Sequence, residues 1–351
     1  MQVDHSKYMS RCLELARLAE GHTAPNPMVG SVIVHDGKII GEGFHQKAGM
    51  PHAEVNAIRS VRDRNLLHQS TLYVNLEPCS HHGKTPPCSD LIIDERIPKV
   101  VVGTVDPNPM VAGRGIARLR DAGCEVFVGV LEQECLWLNR RFFTVHQKGR
   151  PYIILKWAQT IDGFVDTNRD GHELGVPNWI TNEIARVAVH RQRSTENAIL
   201  IGTTTALRDN PSLTLRDWYG NKPLRLIFDM NSRLPSSLRV FTGEAPTATI
   251  VKAAYTDGRK TNHILISQDN VLDNLLQWLK QNNVQSVVVE GGPYTLQQFI
   301  SSRTWDEAHV YVGSGCFGEG IKAPVIEGKP RFEEFFGSSR LSVFINGDKI
   351  E

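Results

Sequence analysis

Three side chains that can bind a metal ion and one that can move protons lie between residues 52 and 88. His52 is followed two residues later by Glu54, and Cys79 and Cys88 come after one helix and one strand's worth of sequence. One imidazole and two thiolates can hold zinc and leave its fourth tetrahedral position open, which is typical of a catalytic site. A bound cation lowers the pKa of water to about 7. The segment therefore predicts hydrolysis of an amidine carbon, with Glu54 carrying the water's proton to the departing amine.

Each of these residues alone also has a structural explanation. A single histidine is more often a core or surface residue, and two cysteines can form a disulfide or remain buried thiols. His81 or His82 could add a fourth ligand and make the zinc site structural. The combination of all three ligands with Glu54 favours the catalytic interpretation.

The composition predicts a soluble protein of two domains. Its 351 residues are more than one domain usually contains, since domains cluster at about 100 to 200 residues. We see no secretion signal, and no apolar run approaches the roughly 20 residues that cross a bilayer. The 39 basic and 38 acidic residues leave a charge of +1, which offers no electrostatic footprint for nucleic acid. The six cysteines read as reduced thiols, so we expect a cytoplasmic protein.

The elements that must position the metal ligands alternate between strand and helix. Predicted strands span 31–35, 38–41, 71–76, 100–103 and 126–128, and predicted helices span 6–21, 52–61, 113–123 and 132–146, with another beginning near Cys88. His52 and Cys88 then lie at helix N-termini, whose partial positive charge favours hydroxide and thiolate. The alternation predicts a sheet with helices on its faces.

The pattern restarts after a polar segment at 147–151. Predicted strands span 152–157, 198–201, 224–228, 248–251, 263–266, 286–290 and 307–312, and predicted helices span 183–193, 271–281 and 295–301. We therefore expect domains at 1–147 and 151–351, both α/β. No Gly-x-Gly-x-x-Gly follows the first strand, so a Rossmann unit is not indicated. Gly291-Gly292 could hold a phosphate at a helix start, although this pair and residues 202–205 also fit plain turns.

The motifs of the first half resemble the deaminase half of the bifunctional riboflavin-biosynthesis deaminase/reductase family. They are Asn26-Pro27 with Val29-Gly30, His52-Ala53-Glu54, the run Glu-Pro-Cys-Ser-His-His-Gly-Lys-Thr-Pro-Pro-Cys at 77–88, Asp106-Pro107-Asn108-Pro109, and Ala-Gly-Arg-Gly at 112–115. In other zinc deaminases the second cysteine follows the first after three residues. Here it follows after nine, and this long insert separates the family from cytidine and transfer-RNA deaminases.

This resemblance implies a cytidine-deaminase-like three-layer domain that binds one zinc ion and a small phosphorylated pyrimidine. The implied substrate is a diaminopyrimidinone carrying a phosphoribosylamino group, whose ring amino group is hydrolysed. Asn26 and His45 match positions that hold the pyrimidine and ribose, and Lys84, Asp106 and Asn108 match the ribose-phosphate contacts. On a structural interpretation, Lys84 is a solvated lysine and the other two are turn residues.

The second half resembles the reductase half of the same family, whose fold is like dihydrofolate reductase and whose cofactor is NADPH. The matching pieces are Lys156 with 160–163, 179–181, Arg193, 202–205, 209–216 and 290–292. The resemblance places five residues against the substrate: Lys156, Arg193, Leu213, Arg216 and Glu290. Arg193 and Arg216 would bind its phosphate through the planar donor fork of guanidinium. It places six along the cofactor: Ala158, Trp179, Thr205, Asp209, Gly291 and Gly292.

One segment departs from the family pattern. Residues 164–178 are longer than in relatives, and Pro177 stands near a position where a serine hydroxyl would contact the cofactor. We expect Asn231, Ser232 and Arg233 to set the preference for NADPH over NADH. Two alternatives stay open: a nucleic-acid or nucleoside deaminase with a non-reducing accessory domain, and a non-enzymatic module with structural zinc. The partners expected are a small-molecule substrate and, in a homo-oligomer, a second copy of the chain, with neither nucleic acid nor membrane.

Overall fold

A computed structural model describes residues 4–81, 86–109, 111–169, 175–243, 245–253, 261–267 and 269–347. The chain divides into two units, residues 1–149 and 150–351. Within the described ranges, none of the helices combines the length and the apolar character needed to cross a membrane.

The first unit is built on a five-stranded sheet. Its strands are β1 (Gly30–His35), β2 (Lys38–Phe44), β3 (Thr71–Leu76), β4 (Lys99–Thr104) and β5 (Glu125–Val128). Its helices are α1 (His5–Arg17), α2 (Ala53–Ser60), α3 (Cys88–Asp94), α4 (Arg114–Asp121), α5 (Glu132–Leu138) and α6 (Arg140–Lys148), with a 3-10 turn at Arg64–Gln69. The strand order is β2-β1-β3-β4-β5. Strand β1 is antiparallel to both neighbours, whereas β3, β4 and β5 are parallel.

Alternate residues of the strands pack against helices on opposite faces of this sheet. Val32 and Tyr73 belong to the core that contains α1 and α5. Ile33 and Val74 belong to the core that contains α2, α3 and α4. Because side chains alternate along a strand, the unit has three layers, and the predicted cytidine-deaminase-like fold class is confirmed.

The predicted single helix at 132–146 is wrong, because the chain leaves helical geometry at Asn139. This residue has φ −100° and ψ 20° and separates α5 from α6. Its buried amide oxygen accepts from the Met28 N–H at 2.8 Å, and its amide nitrogen donates to the Met28 carbonyl at 2.9 Å. Asn139 thus binds the backbone of the loop that contains Asn26. Helix α1 also ends earlier than predicted, and Gly21 lies beyond it with φ +81°.

The second unit is built on a nine-stranded sheet. The strands of the whole unit are β6 (Tyr152–Gln159), β7 (Phe164–Asp166), β8 (Ala198–Ile201), β9 (Leu224–Phe228), β10 (Thr247–Val251), β11 (Asn262–Leu265), β12 (Ser286–Val289), β13 (Glu307–Val312), β14 (Ile321–Lys322), β15 (Phe332–Phe336) and β16 (Ser339–Ile345). Its helices are α7 (Glu183–Thr195), α8 (Thr203–Asp209), α9 (Val271–Gln281) and α10 (Pro293–Ser301), with a 3-10 turn at Arg239–Phe241. The large sheet has the order β11-β10-β9-β8-β12-β6-β13-β16-β15, and β7 pairs with β14 separately.

Seven strands of the large sheet are parallel, from β11 to β13, and the hairpin β15–β16 adds an antiparallel edge. All seven parallel strands lie where the sequence predicts them, whereas the hairpin was not predicted. Strand β15 is mostly exposed, so it lacks the apolar alternation that marks a half-buried strand. Residues 203–209 form α8 and not only a turn. The α/β class predicted for this half is confirmed.

Candidate active sites

The three predicted metal ligands lie within bonding distance of one position. His52 is the N-cap of α2, Cys88 is the first residue of α3, and Cys79 follows β3. One donor atom from each lies within 4.8 Å of the others. His52 Nδ1 is 3.6 Å from Cys79 Sγ and 3.3 Å from Cys88 Sγ. Tetrahedral zinc, with bonds of about 2.3 Å to sulfur and 2.0 Å to nitrogen, places such atoms about 3.6 Å apart. The residues therefore fit a zinc ion.

The surroundings of Cys79 favour its thiolate form. A hydrogen bond from the Cys88 thiol outweighs the effect of burial and, with one from His52, lowers the pKa of Cys79. The backbone N–H of Cys88 also donates to Cys79 Sγ at 3.3 Å. This N–H belongs to the first turn of α3, where the helix dipole stabilises negative charge. The ligand set is thus prepared for a cation, since thiolate is the form that binds metal.

Glu54 lies in the first turn of α2, two residues after His52, and is only 3% exposed. Burial raises the pKa of this carboxyl to about 7; the Cys79 charge adds to the rise and His52 opposes it. A carboxyl with a pKa near the working pH can both accept and donate a proton efficiently. The position and environment of Glu54 therefore suit a general acid and base.

Asn26 and His45 form a hydrogen-bonded pair next to His52. His45 Nδ1 lies 3.2 Å from the Pro51 carbonyl and Nε2 lies 3.1 Å from Asn26 Nδ2. Because a carbonyl only accepts, Nδ1 carries the proton and Nε2 accepts from the amide. Burial lowers the pKa of His45, which favours this neutral form. The His45 and His52 rings are 5.4 Å apart between centroids, so both predicted substrate residues lie beside the metal ligands.

Asp106 and Asn108 lie in the loop that follows β4. Asp106 is buried, and its Oδ1 accepts from the Asn108 N–H at 2.8 Å. Burial raises the pKa of Asp106 to about 6, and the charges of Glu77 and Cys79 add to the rise. The loop is therefore close enough to the metal ligands for their charge to act on it. Lys84, the remaining predicted substrate contact, lies outside the described residues.

Two adjoining cavities, of about 450 and 240 Å³, lie near the carboxyl ends of β8 and β12 in the second unit. Such an edge is where parallel α/β sheets commonly bind ligands. All eleven residues predicted for the reductase site line one cavity or both. Shared by both are Lys156, Ala158, Thr205, Asp209 and Glu290; the larger alone has Trp179, Arg193, Leu213 and Arg216, and the smaller alone has Gly291 and Gly292. Which of these residues contact substrate and which contact cofactor stays a prediction, since five of the eleven line both cavities.

A buried charge cluster lies where the two cavities meet. Arg193 donates from Nε and Nη2 to the two carboxylate oxygens of Glu290, at 2.8 and 2.7 Å. Lys156 Nζ lies 3.7 Å from the same carboxylate. Burial alone would raise the pKa of Glu290, but Arg193 and Lys156 outweigh it and hold the pKa at about 2. Glu290 is therefore ionised at neutral pH, and two donors of Arg193 are directed to it.

Sequence reasoning missed Arg169, which lies in the segment that departs from the family pattern. Its side chain is 4% exposed and lines the smaller cavity. Nη2 contacts Asp209 at 3.0 Å and Nε contacts Asp166 at 2.8 Å. Pro177, from the same segment, lines both cavities. No motif marks Arg169, because Asp209 becomes its neighbour only in the folded chain.

Replacing Arg169 with Met is expected to raise the KM for NADPH about tenfold to a hundredfold, since hydrogen bonds to charged groups contribute about 1.5–3 kcal/mol. The reason is that Asp209, predicted to contact the cofactor, would lose the group that orients it. Steady-state NADPH oxidation measures the effect. The exposed Arg303, also changed to Met, is the control. An unchanged KM in Arg169→Met would contradict the prediction.

The three residues expected to set cofactor preference follow β9. Asn231, Ser232 and Arg233 are exposed, and Ser232 has φ +50°. The Arg233 N–H donates to the carboxylate of Asp229 at 2.8 Å, which fixes the turn. Their role in selecting NADPH stays a prediction.

Comparisons with known proteins agree with this geometry. Residues 2–104 match the cytidine and deoxycytidylate deaminase zinc-binding region, and residues 151–340 match the RibD C-terminal domain. The chain is 43% identical over 320 residues to riboflavin biosynthesis protein RibD of Aquifex aeolicus, covering 90% of this chain and 88% of that protein. It is 37% identical over 332 residues to RibD of Escherichia coli, covering 89% and 88%.

A solved structure is similar over almost the whole length. It is the crystal structure of a diaminohydroxyphosphoribosylaminopyrimidine deaminase/5-amino-6-(5-phosphoribosylamino)uracil reductase from Thermotoga maritima, with a TM-score of 0.88 and 37% identity. The likeness covers 97% of this chain and 98% of that one. The resemblance inferred from the motifs is thereby confirmed. The chain belongs to the RibD family of riboflavin-biosynthesis enzymes, which join a zinc-binding deaminase domain to an NADPH-dependent reductase domain.

Proposed function

We propose that this chain deaminates 2,5-diamino-6-(5-phosphoribosylamino)pyrimidin-4-one and then reduces the ribosyl group of the aminouracil product to ribityl. Both activities appear in the name of the similar Thermotoga maritima enzyme. We assign the deaminase to residues 1–147 and the reductase to 151–351, and the unit boundary after Gly149 supports this assignment. The observation that carries the proposal is the His52, Cys79 and Cys88 set with buried Glu54 beside it.

The proposed deamination uses the chain's residues to place a water and move one proton. Zinc, when held by His52, Cys79 and Cys88, would supply hydroxide near neutral pH by lowering the pKa of water. Glu54 would accept one proton of the water and donate it to the leaving amino group, and the proton of the added hydroxyl would pass to the adjacent ring nitrogen, so that ammonia departs and the ring gains a carbonyl oxygen and an N–H. The near-neutral pKa of Glu54 supports both halves of this transfer.

Recognition of the deaminase substrate is assigned to two groups of residues near the metal ligands. Asn26 and His45 would hold the pyrimidine and ribose, and their hydrogen bond to one another fixes their donors and acceptors. Asp106 and Asn108 would contact the ribose phosphate. Lys84 is assigned to the phosphate from the sequence resemblance alone.

The proposed reduction takes place where the two cavities meet. NADPH, when bound in the smaller cavity, would supply a hydride to the opened ribose. Lys156 and Glu290 lie at the junction, and Thr205 and Gly292 are joined by a hydrogen bond of 2.8 Å across the cofactor side. Arg216 lines the larger cavity, where its guanidinium would bind the substrate phosphate. The positions of these residues support a cofactor in the smaller cavity and a substrate in the larger one.

We further propose a cytoplasmic location and no nucleic-acid partner. The six cysteines are thiols, which suits a reducing compartment, and the charge of +1 gives no attraction to phosphate chains. A homo-oligomer stays a prediction. The alternative, a nucleic-acid or nucleoside deaminase, would be favoured if the protein deaminated a single-stranded oligonucleotide as fast as the phosphorylated pyrimidinone.

Incubation with the diaminopyrimidinone phosphate and NADPH is expected to release ammonia and then consume NADPH. Removing metal with a chelator should abolish ammonia release, because the hydroxide that zinc would supply is then lost, and zinc should restore it. The chelated protein should still oxidise NADPH when given the aminouracil phosphate. Ammonia without NADPH oxidation would overturn the reductase half, and no ammonia from the zinc-loaded protein would overturn the deaminase half.

A further inference from the structure

Glu77 is a buried carboxylate between the loop of Cys79 and the loop of Asp106, and it is 4% exposed. Its Oε2 accepts from the N–H groups of Asp106 and Gly113, at 3.2 and 2.9 Å. Its Oε1 accepts from those of Gly115 and Ile116, at 2.9 and 3.2 Å. One side chain therefore satisfies four backbone donors that lie 29 to 39 residues away.

These donors include the start of α4. Gly113, its N-cap, has no side chain and φ +76°, so the helix cannot cap itself through this residue. Glu77 takes that place from another element, where the helix dipole also favours its negative charge. The two segments touch directly, because a Cβ on Gly115 would lie 2.0 Å from the Pro78 carbonyl oxygen.

Glu77 is one of three side chains at alternate positions in the segment that begins in the last residues of β3 and continues past its end at Leu76. Asn75 donates to the Met28 carbonyl at 3.1 Å and accepts from the Gly30 N–H at 2.8 Å, which holds the loop of Asn26. Glu77 holds the loop of Asp106, and Cys79 is a metal ligand. One short segment thus contacts three separate parts of the deaminase site.

We propose that Glu77 is a positioning residue of the deaminase, which sets the distance between the Asp106–Asn108 loop and the metal ligands. Its oxygens bond to backbone N–H groups, so it acts through the loop and not on the substrate. Because Asp106 and Asn108 are assigned to the phosphoribosyl end, Glu77 determines whether that end and the reacting carbon are placed together. This inference rests on the proposed function.

Glu77→Gln is the direct test. It keeps the shape of the side chain but turns an NH₂ group towards two N–H donors, so the loop must move. We expect the KM for the diaminopyrimidinone phosphate to rise at least tenfold. We also expect the preference for this substrate over its dephosphorylated form to fall at least fivefold. Zinc content and reduction of the aminouracil phosphate should remain unchanged, and Glu125→Gln, on the exposed side of β5, is the matched control.

The outcomes separate a positioning role from others. Wild-type KM and selectivity in Glu77→Gln would overturn the inference, as would loss of zinc together with an equal loss of activity on both substrates. If Glu77→Gln does not fold, Glu77→Asp retains the charge and lacks one methylene, and the same fall in selectivity is expected. Absence of ammonia release from the wild-type protein would instead refute the proposed function and leave the contacts of Glu77 unaffected.

Discussion

Replacing Glu54 with Gln is expected to lower the deaminase kcat by about 10²–10⁴-fold, the range that general acid–base catalysis contributes. Glutamine keeps the size of the side chain but cannot accept the water's proton. His52, Cys79 and Cys88 are untouched, so the zinc content should remain one per chain. Ammonia release measures the loss, and metal analysis shows that the site is intact.

The control for this substitution is Glu134→Gln, which changes an exposed glutamate in the first turn of α5. Like Glu54 it lies in the first turn of a helix, but it is exposed and Glu54 is buried. We expect it to leave ammonia release unchanged. An undiminished rate in Glu54→Gln, with zinc bound, would exclude this residue as the proton carrier.

Replacing Arg193 with Met is expected to destabilise the second unit by about 3–5 kcal/mol, because breaking a buried ion pair leaves one charge uncompensated. Lys156, whose Nζ lies 3.7 Å from the carboxylate, would then have to compensate the charge of Glu290 without Arg193. Denaturant unfolding of the full chain measures the loss. The control is Arg340→Met, which breaks an exposed contact to Glu333 at 3.5 Å and should cost no more than about 1 kcal/mol.

The effect should depend on pH with a definite sign. In the native protein the pKa of Glu290 is held at about 2, below the ordinary 4.5. A lowered folded-state pKa gives stability that is present above 4.5 and is lost as the pH falls towards 2. The loss in free energy of unfolding caused by Arg193→Met is therefore largest at neutral pH and becomes smaller as the pH falls. If Arg193→Met and Arg340→Met lowered the free energy of unfolding equally at neutral pH, the interpretation of Arg193 and Glu290 as a stabilising buried ion pair would be contradicted.

The zinc site could be predicted because zinc binding and proton transfer require particular residue types, which the sequence shows directly. A histidine followed two residues later by a glutamate, together with two cysteines further along, is a combination that favours metal-assisted proton transfer over a structural role. The strands at 71–76 and 307–312 were predicted with the bounds that the structure has, because buried apolar runs between turn residues define strands well.

The contacts that cross the fold could not be predicted. Arg193 and Glu290 are 97 residues apart, and the resemblance assigned one to phosphate and the other to substrate without pairing them. Asn139 interrupts a helix whose local pattern continues, because its amide binds the Met28 backbone 111 residues away. The sequence assigned no role to Glu77 beyond its place in a motif. Its partners are backbone N–H groups, which every residue except proline possesses, so no residue type indicates them.

The alternate spacing of Asn75, Glu77 and Cys79 makes chain length itself a determinant of the deaminase site. Strand β3 is fixed by pairing with β1 and β4 on both sides. A shift of one residue reverses which face of a strand each side chain occupies. A single residue inserted or deleted between Val74 and Asn75 would therefore displace the side chains that hold the Asn26 loop and the Asp106 loop, together with one metal ligand. A substitution at one of these positions affects one part of the site, whereas a change in the length of the segment before Asn75 would affect all three parts.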